Sequence, residues 1–245
     1  MANTDNLSDF FQDLVDTIRA KIPNTSDVIK IADIEGIIRG YDVEAVGGFY
    51  EEVVCAVENG IRQVESVVVY NGVKGIESNA YQGMDSLAYV KMFDTVESIG
   101  AFAFGSCKSL KKVVLPKGLK TLWPNAFSQC TSIERVTFDN DESNGIEIGE
   151  TCFSGCKNLQ EVFFSRVKKI SAKAFSGCTI LNKVVILNQD NLPTLEAEAL
   201  NSIPTTATFY VSEALFDDWK TELASYGITN VVVYNSNDSN DGNID

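Results

Sequence analysis

A short word recurs five times in this chain, and nothing else in the sequence restricts the fold as strongly. Its centre is an aromatic set in NAYQGM (79–84), AFAFGSC (101–107), NAFSQC (125–130), TCFSGC (151–156) and KAFSGC (173–178). The anchors Tyr81, Phe104, Phe127, Phe153 and Phe175 stand 23, 23, 26 and 22 residues apart. Five residues ahead of each stands an aliphatic: Ile76, Ile99, Leu122, Ile148 and Ile170. After each comes Leu-x-x-Val-x-apolar: Leu87/Val90/Met92, Leu110/Val113/Leu115, Ile133/Val136/Phe138, Leu159/Val162/Phe164 and Leu181/Val184/Ile186. The 26-residue unit holds its surplus in the polar stretch DNDESNG (139–145). A unit this short cannot bury its own apolar side. Stacked copies can, because each position then forms a column along one continuous core. The Leu-x-x-Val-x-apolar word supplies one strand per coil, so successive strands are expected to pair in parallel.

These words resemble the leucine-rich repeats of the BspA type, with their recurrent Ala-Phe…Cys…Leu unit, over about residues 64–210. The resemblance implies an elongated right-handed solenoid used for binding, with no enzymatic activity of its own. The expected fold class is α/β: a right-handed leucine-rich-repeat solenoid with one parallel sheet, an N-terminal helical segment and a C-terminal strand–helix–strand cap. The expected boundaries are 1–60 for the helical docking or cap segment, 61–205 for the solenoid, 206–234 for the C-terminal cap and 235–245 for an acidic tail.

Cys107, Cys130, Cys156 and Cys178 share one column, and Met84 takes that slot in the first copy. Neighbouring coils about 4.8 Å apart fall within the distance of a disulfide. Stacked side chains point the same way, however, and a disulfide needs converging Cβ vectors. Small, buried, free thiols are therefore expected. Cys152 replaces Ala in its own column, again as a small filler. No Cys-x-x-Cys spacing occurs, and neither a metal site nor a cofactor is expected.

Both ends of a solenoid need covering. After Cys178 the pattern decays through LEAEALNSI (195–203), which places Leu200 in the aromatic slot. TATFYV then reads as a strand, Ser212 as an N-cap, and Leu215, Trp219 and Leu223 as the buried stripe of a helix stopped by Gly227. ITNVVVY reads as a last strand. In the tail, Asn237, Ser239, Asp241, Gly242 and Ile244 fit five positions of a calcium-binding EF-hand loop, but its bidentate Glu is missing and a solvated tail is expected. At the other end, Phe10, Phe11, Leu14, Val15 and Ile18 form the stripe of an amphipathic helix. Residues 16–38, DTIRAKIPNTSDVIKIADIEGII, are similar to a segment near the N-terminus of tail and fibre proteins of bacterial viruses.

The formal net charge of −14 is unevenly spread. Residues 1–60 carry twelve acidic and four basic side chains, 211–245 seven and one, and 61–210 fifteen of each. No basic footprint for nucleic acid is present. The complete lack of histidine removes Ser-His-Asp and Cys-His catalysis, and no phosphate loop or nucleophile-elbow motif replaces it. No enzyme is expected. The first residues lack the basic and apolar regions of a secretory signal, and no apolar run is long enough to span a bilayer.

Residues flanking the valine of each strand word should point away from the core. One outward column reads Ser66, Tyr89, Lys112, Arg135, Glu161, Lys183 and the next Val68, Lys91, Val114, Thr137, Phe163, Val185. Tyr89, Val114, Arg135, Phe163 and Val185 are the candidate partner-binding residues, because contiguous exposed apolar groups mark contacts. The expected function is a non-enzymatic structural protein of a bacterial virion, tail or fibre associated, that contacts other virion proteins or a host cell-surface component. A homo-oligomer is a further partner class, and no membrane insertion is expected. The alternative is a bacterial surface or secreted adhesin of the BspA type.

Overall fold

The computed structural model describes residues 51–58, 61–69, 71–138, 145–188 and 190–235. Over these residues the chain winds as a parallel-sheet solenoid of about 7 turns. A hairpin of β1 (Glu51–Glu58) and β2 (Ile61–Val69) opens it. Short and long strands then alternate: β3 (Gly75–Ile76), β4 (Tyr89–Met92), β5 (Ser98–Ile99), β6 (Lys112–Val114), β7 (Thr121–Leu122) and β8 (Arg135–Phe138). The alternation continues with β9 (Ile146–Ile148), β10 (Glu161–Phe164), β11 (Val167–Ile170), β12 (Lys183–Ile186) and β13 (Thr194–Leu195). Strand β14 (Thr208–Val211), helix α1 (Phe216–Ala224) and β15 (Val231–Val233) close the C-terminal end.

The long strands are the Leu-x-x-Val-x-apolar words, and they pair as expected. Val113, Val136, Val162, Val184 and Phe209 stand opposite one another in unbroken parallel register. The expectation of a single parallel sheet is corrected. One six-stranded sheet runs β15-β14-β12-β10-β8-β6, and a second runs β13-β11-β9-β7-β5-β3. The second arises from the aliphatic ahead of each anchor. Ile76, Ile99, Leu122, Ile148, Ile170 and Leu195 pair in parallel, with only two ladder residues per coil at most steps. A third sheet, β1-β2-β4, joins the antiparallel hairpin to the first long repeat strand, and β4 lies against β6.

The helical segment expected over residues 1–60 is corrected at its end, where Glu51–Glu58 is a strand. The helix expected around Phe10–Ile18 and the virus-like stretch 16–38 lie outside the described residues, as do residues 236–245 of the tail.

The aromatic anchors meet as the column predicts. Tyr81, Phe104, Phe127, Phe153 and Phe175 stack with centroids 5.0, 5.1, 5.7 and 5.6 Å apart and interplanar angles of 13° or less. The spacing follows that of the strands, and each offset pair contributes about 0.5–1.5 kcal/mol beyond burial. Around each anchor the backbone makes a third ladder. The residue two before it is left-handed in every coil: Asn79, Phe102, Asn125, Thr151, Lys173 and Glu198 have φ between 52° and 64°. The residue two after it is left-handed in the first five coils: Gly83, Ser106, Gln129, Gly155 and Gly177. Alternating handedness turns every second N–H toward the following coil, as in Phe102 N–H to Pro124 O, Phe104 N–H to Ala126 O and Ser106 N–H to Ser128 O.

The cysteine column serves this same stack. The thiols of Cys107, Cys130, Cys156 and Cys178 donate to the carbonyls of Tyr81, Phe104, Phe127 and Phe153, one coil earlier, at 3.2, 2.9, 3.2 and 3.2 Å. The first repeat has no anchor before it to receive such a bond, which accounts for Met84 there. Cys107, Cys130, Cys152, Cys156 and Cys178 are free and buried.

The cap forms with one change. Leu215, Trp219 and Leu223 are buried, and Gly227 ends the helical turn at φ 73°. Ser212 makes no capping bond; its hydroxyl donates instead to the carbonyl of Asn188. A 3₁₀ turn at Glu213–Leu215 intervenes, and Asp217 and Asp218 bring negative charge to the start of α1.

Candidate binding face

The outer face of the long-strand sheet carries both columns read from the sequence. In register, Arg135, Glu161, Lys183 and Thr208 form one row, and Thr137, Phe163, Val185, Tyr210 and Val232 the other. Lys112 and Val114 continue the rows through β6, and Ser66, Tyr89, Val68 and Lys91 pair likewise between β2 and β4. Sequence reasoning stopped the rows at Val185. The cap strands extend them, because β14 and β15 continue the same parallel ladder.

The five candidate residues fall into two groups. Tyr89 is 55% exposed and Val114 44%, large values for apolar side chains on an ordered strand. Lys91 and Lys112 are exposed beside them, and Lys91 Nζ lies 5.3 Å from the Phe93 ring centroid. Towards the C-terminal end the face is partly closed. Phe163 is half-buried and meets Tyr234 edge-on at 6.2 Å, while Val185 has no exposure. Val185 is thus corrected from a surface residue to a buried one.

Arg135 belongs to a bridged row. Glu161, 9% exposed, accepts from Arg135 at 2.7 Å and from Lys183 at 2.8 Å, and Lys183 also lies 5.7 Å from the Tyr210 ring centroid. One carboxylate therefore holds two cations in neighbouring coils. A comparable bridge lies ahead of the short strands, where Lys120 and Lys74 bond to Glu97 and hold its carboxyl down at about 2.

Among the described residues no three His, Cys, Asp or Glu side chains converge as metal ligands, and no helix is long and apolar enough to cross a membrane. The arrangement offers a broad row of apolar and cationic side chains.

The comparisons with known proteins agree with this architecture. The family model of the BspA type leucine rich repeat region matches residues 74–207 in 6 copies. The sixth copy is the decayed unit around Leu200. The crystal structure of the pneumococcal vaccine antigen PcpA is similar at 18% identity with a TM-score of 0.54, covering 70% of this chain and 42% of that one. A leucine rich cell surface protein from Faecalibacterium prausnitzii is similar at 27% identity with a TM-score of 0.47, covering 64% of this chain and 41% of that one. A T. pallidum leucine rich repeat protein is similar at 22% identity with a TM-score of 0.45, covering 71% of this chain and 93% of that one. The chain thus spans less than half the length of the first and second of these structures. No curated protein matches the chain. No catalytic family is indicated, and no comparison carries the resemblance to virion tail and fibre proteins.

Proposed function

This chain belongs to the BspA-type leucine-rich repeat proteins, and on that footing we propose that it is a non-enzymatic binding protein of the bacterial surface or its exterior. Its partner is a protein carrying acidic and apolar side chains, held across the outer face of the long-strand sheet. The observation that carries the reading is the coincidence of exposed Tyr89 and Val114 with exposed Lys91 and Lys112 on one ordered sheet face. Apolar groups on such a face give affinity when covered, and neighbouring cations steer an acidic partner towards it. The surface location is supported by the family. The virion role is not retained: no comparison carries the resemblance of residues 16–38 to tail and fibre proteins, and the family fits the surface reading better.

The test uses beads coated with the purified chain, offered to panels of animal and bacterial cells. Wild-type beads are expected to adhere to at least one cell type, and protease treatment of those cells should abolish adhesion. A Tyr89→Glu/Val114→Glu variant should keep its thermal transition and lose most adhesion. Equal adhesion by the variant would remove the face from the binding role.

A further inference from the structure

Two polar columns beside the short strands are each broken by one aromatic residue, and the two breaks meet in adjacent coils. The residue after each short-strand aliphatic reads Glu77, Gly100, Trp123, Gly149, Ser171, Glu196, and Trp123 is its one apolar side chain. The residue two before each anchor reads Asn79, Phe102, Asn125, Thr151, Lys173, Glu198, and Phe102 is the exception there. Phe102 N–H donates to Pro124 O at 3.2 Å, which sets Phe102 beside the residue that follows Trp123. Trp123 is 53% exposed and Phe102 37%, so neither ring serves the core. Among the described residues neither stacks on another ring or carries a cation. Phe102 is moreover left-handed, at φ 56°, a costly conformation for a bulky residue that gains so little burial. Glycine stands on either side of Trp123 in its column, so the indole is the only side chain between Glu77 and Ser171. The charges around the pair are unevenly matched. Glu97 holds Lys74 and Lys120, Glu147 holds Lys168, Glu196 holds Lys169, Glu198 holds Lys173 and Asp190 holds Arg166. The cations that adjoin the short strands are thereby taken. Glu77 and Glu150 are exposed and enter no ion pair with any described residue. They bracket the aromatics along the stack: Glu77 lies one coil before Phe102, and Glu150 one coil after Trp123.

We propose that Glu77, Phe102, Trp123 and Glu150 form a second binding site, which takes an extended arginine-bearing segment of a partner protein. Arginine suits both halves of the site. Its planar guanidinium stacks on aromatic faces, tryptophan best of all, and its fork of donors matches a carboxylate. The spacing suits an extended chain. From the coil of Glu77 to that of Glu150 is three strand spacings, about 14 Å. In an extended segment every second side chain faces the same way, about 7 Å apart. A segment Arg-x-Arg-x-Arg laid along the stack therefore places its outer arginines at Glu77 and Glu150. Its middle one falls between the coils of Phe102 and Trp123. The two unpaired carboxylates draw the cations in, and the rings give the desolvated contact. This site is separate from the long-strand face and stands whether or not that face binds.

The experiment titrates the full chain with the synthetic peptide Arg-Ser-Arg-Ser-Arg and reads tryptophan emission and the anisotropy of a dye on the peptide. The chain has two tryptophans, and Trp219 is fully buried, so a change in emission reports on Trp123. The peptide is expected to bind and to quench Trp123. Lys-Ser-Lys-Ser-Lys should bind several-fold more weakly, and Glu-Ser-Glu-Ser-Glu not at all. A Glu77→Gln/Glu150→Gln variant should lose several-fold in affinity, and a Phe102→Ala/Trp123→Ala variant most of it by anisotropy, both with an unchanged thermal transition. Binding undiminished in Glu77→Gln/Glu150→Gln would place the peptide on the acidic ends of the chain and overturn the proposal. Equal binding of the lysine peptide, no change at Trp123, or quenching by a neutral hexose oligosaccharide and not by the peptide would do the same.

Discussion

Cys130 illustrates how one side chain can tie two coils together without performing a reaction. The carbonyl of Phe104 accepts the Cys107 N–H at 3.2 Å within its own coil and the Cys130 thiol at 2.9 Å from the next. Alanine would leave the second contact unmade, and a larger residue would not fit between packed coils. Burial pushes the Cys178 thiol up to about 12 and those of Cys152 and Cys156 higher still. The native state therefore holds these protons more tightly than the unfolded chain does. Their contribution to stability is complete below the ordinary value of 9.0 and is lost as pH rises through about 12. Urea midpoints are expected to be flat from about pH 7 to 8.5 and to fall steadily above about 9. The thiols of Cys107, Cys130, Cys152, Cys156 and Cys178 should resist alkylation by iodoacetamide at neutral pH until urea is added. Alkylation of any of them in the native state would contradict their role as interior packing.

At the level of the strand and turn, the left-handed position two before each anchor is the most demanding local feature. Glycine fits it without strain, yet the chain uses Asn79, Phe102, Asn125, Thr151, Lys173 and Glu198. Lys173 is exposed, with φ 56°, and its ion pair with Glu198 at 3.3 Å lies in solvent. Replacing it relieves about 1–2 kcal/mol of left-handed strain and costs about 0.5–1 kcal/mol in unfolded-chain entropy. Lys173→Gly is therefore expected to stabilise by about 0.5 kcal/mol in urea titration. A loss of more than about 1 kcal/mol would mean that the lysine stem packs more firmly than its exposure implies. The column is invisible in the sequence because five different residue types fill its six positions. The long strands were legible because their valine alternates with outward residues in every copy. The short strands were not, since two residues carry no periodicity. The opening hairpin did leave a signal: Asn59-Gly60 between two valine-rich runs is the strongest short-range mark of a two-residue hairpin. Of the candidate face, the rows were readable but the roof was not. Tyr234 reaches Phe163 through strand order, and no spacing along the chain encodes that contact.

Across the whole molecule, the strand ladders and the ladder beside the anchors all run from coil to coil. Their hydrogen bonds lie along the direction in which the coils stack, and the phenyl column points the same way. A load applied through the two ends therefore pulls each of these contacts apart head-on, one coil at a time, and does not shear many together. Drawn out in optical tweezers, the repeat region should extend in a sawtooth, each step releasing about 80 Å for a unit of 23 residues. A single rip of the entire array would disprove it. A protein built this way yields length under tension a coil at a time, while the coils still wound keep their stacked contacts.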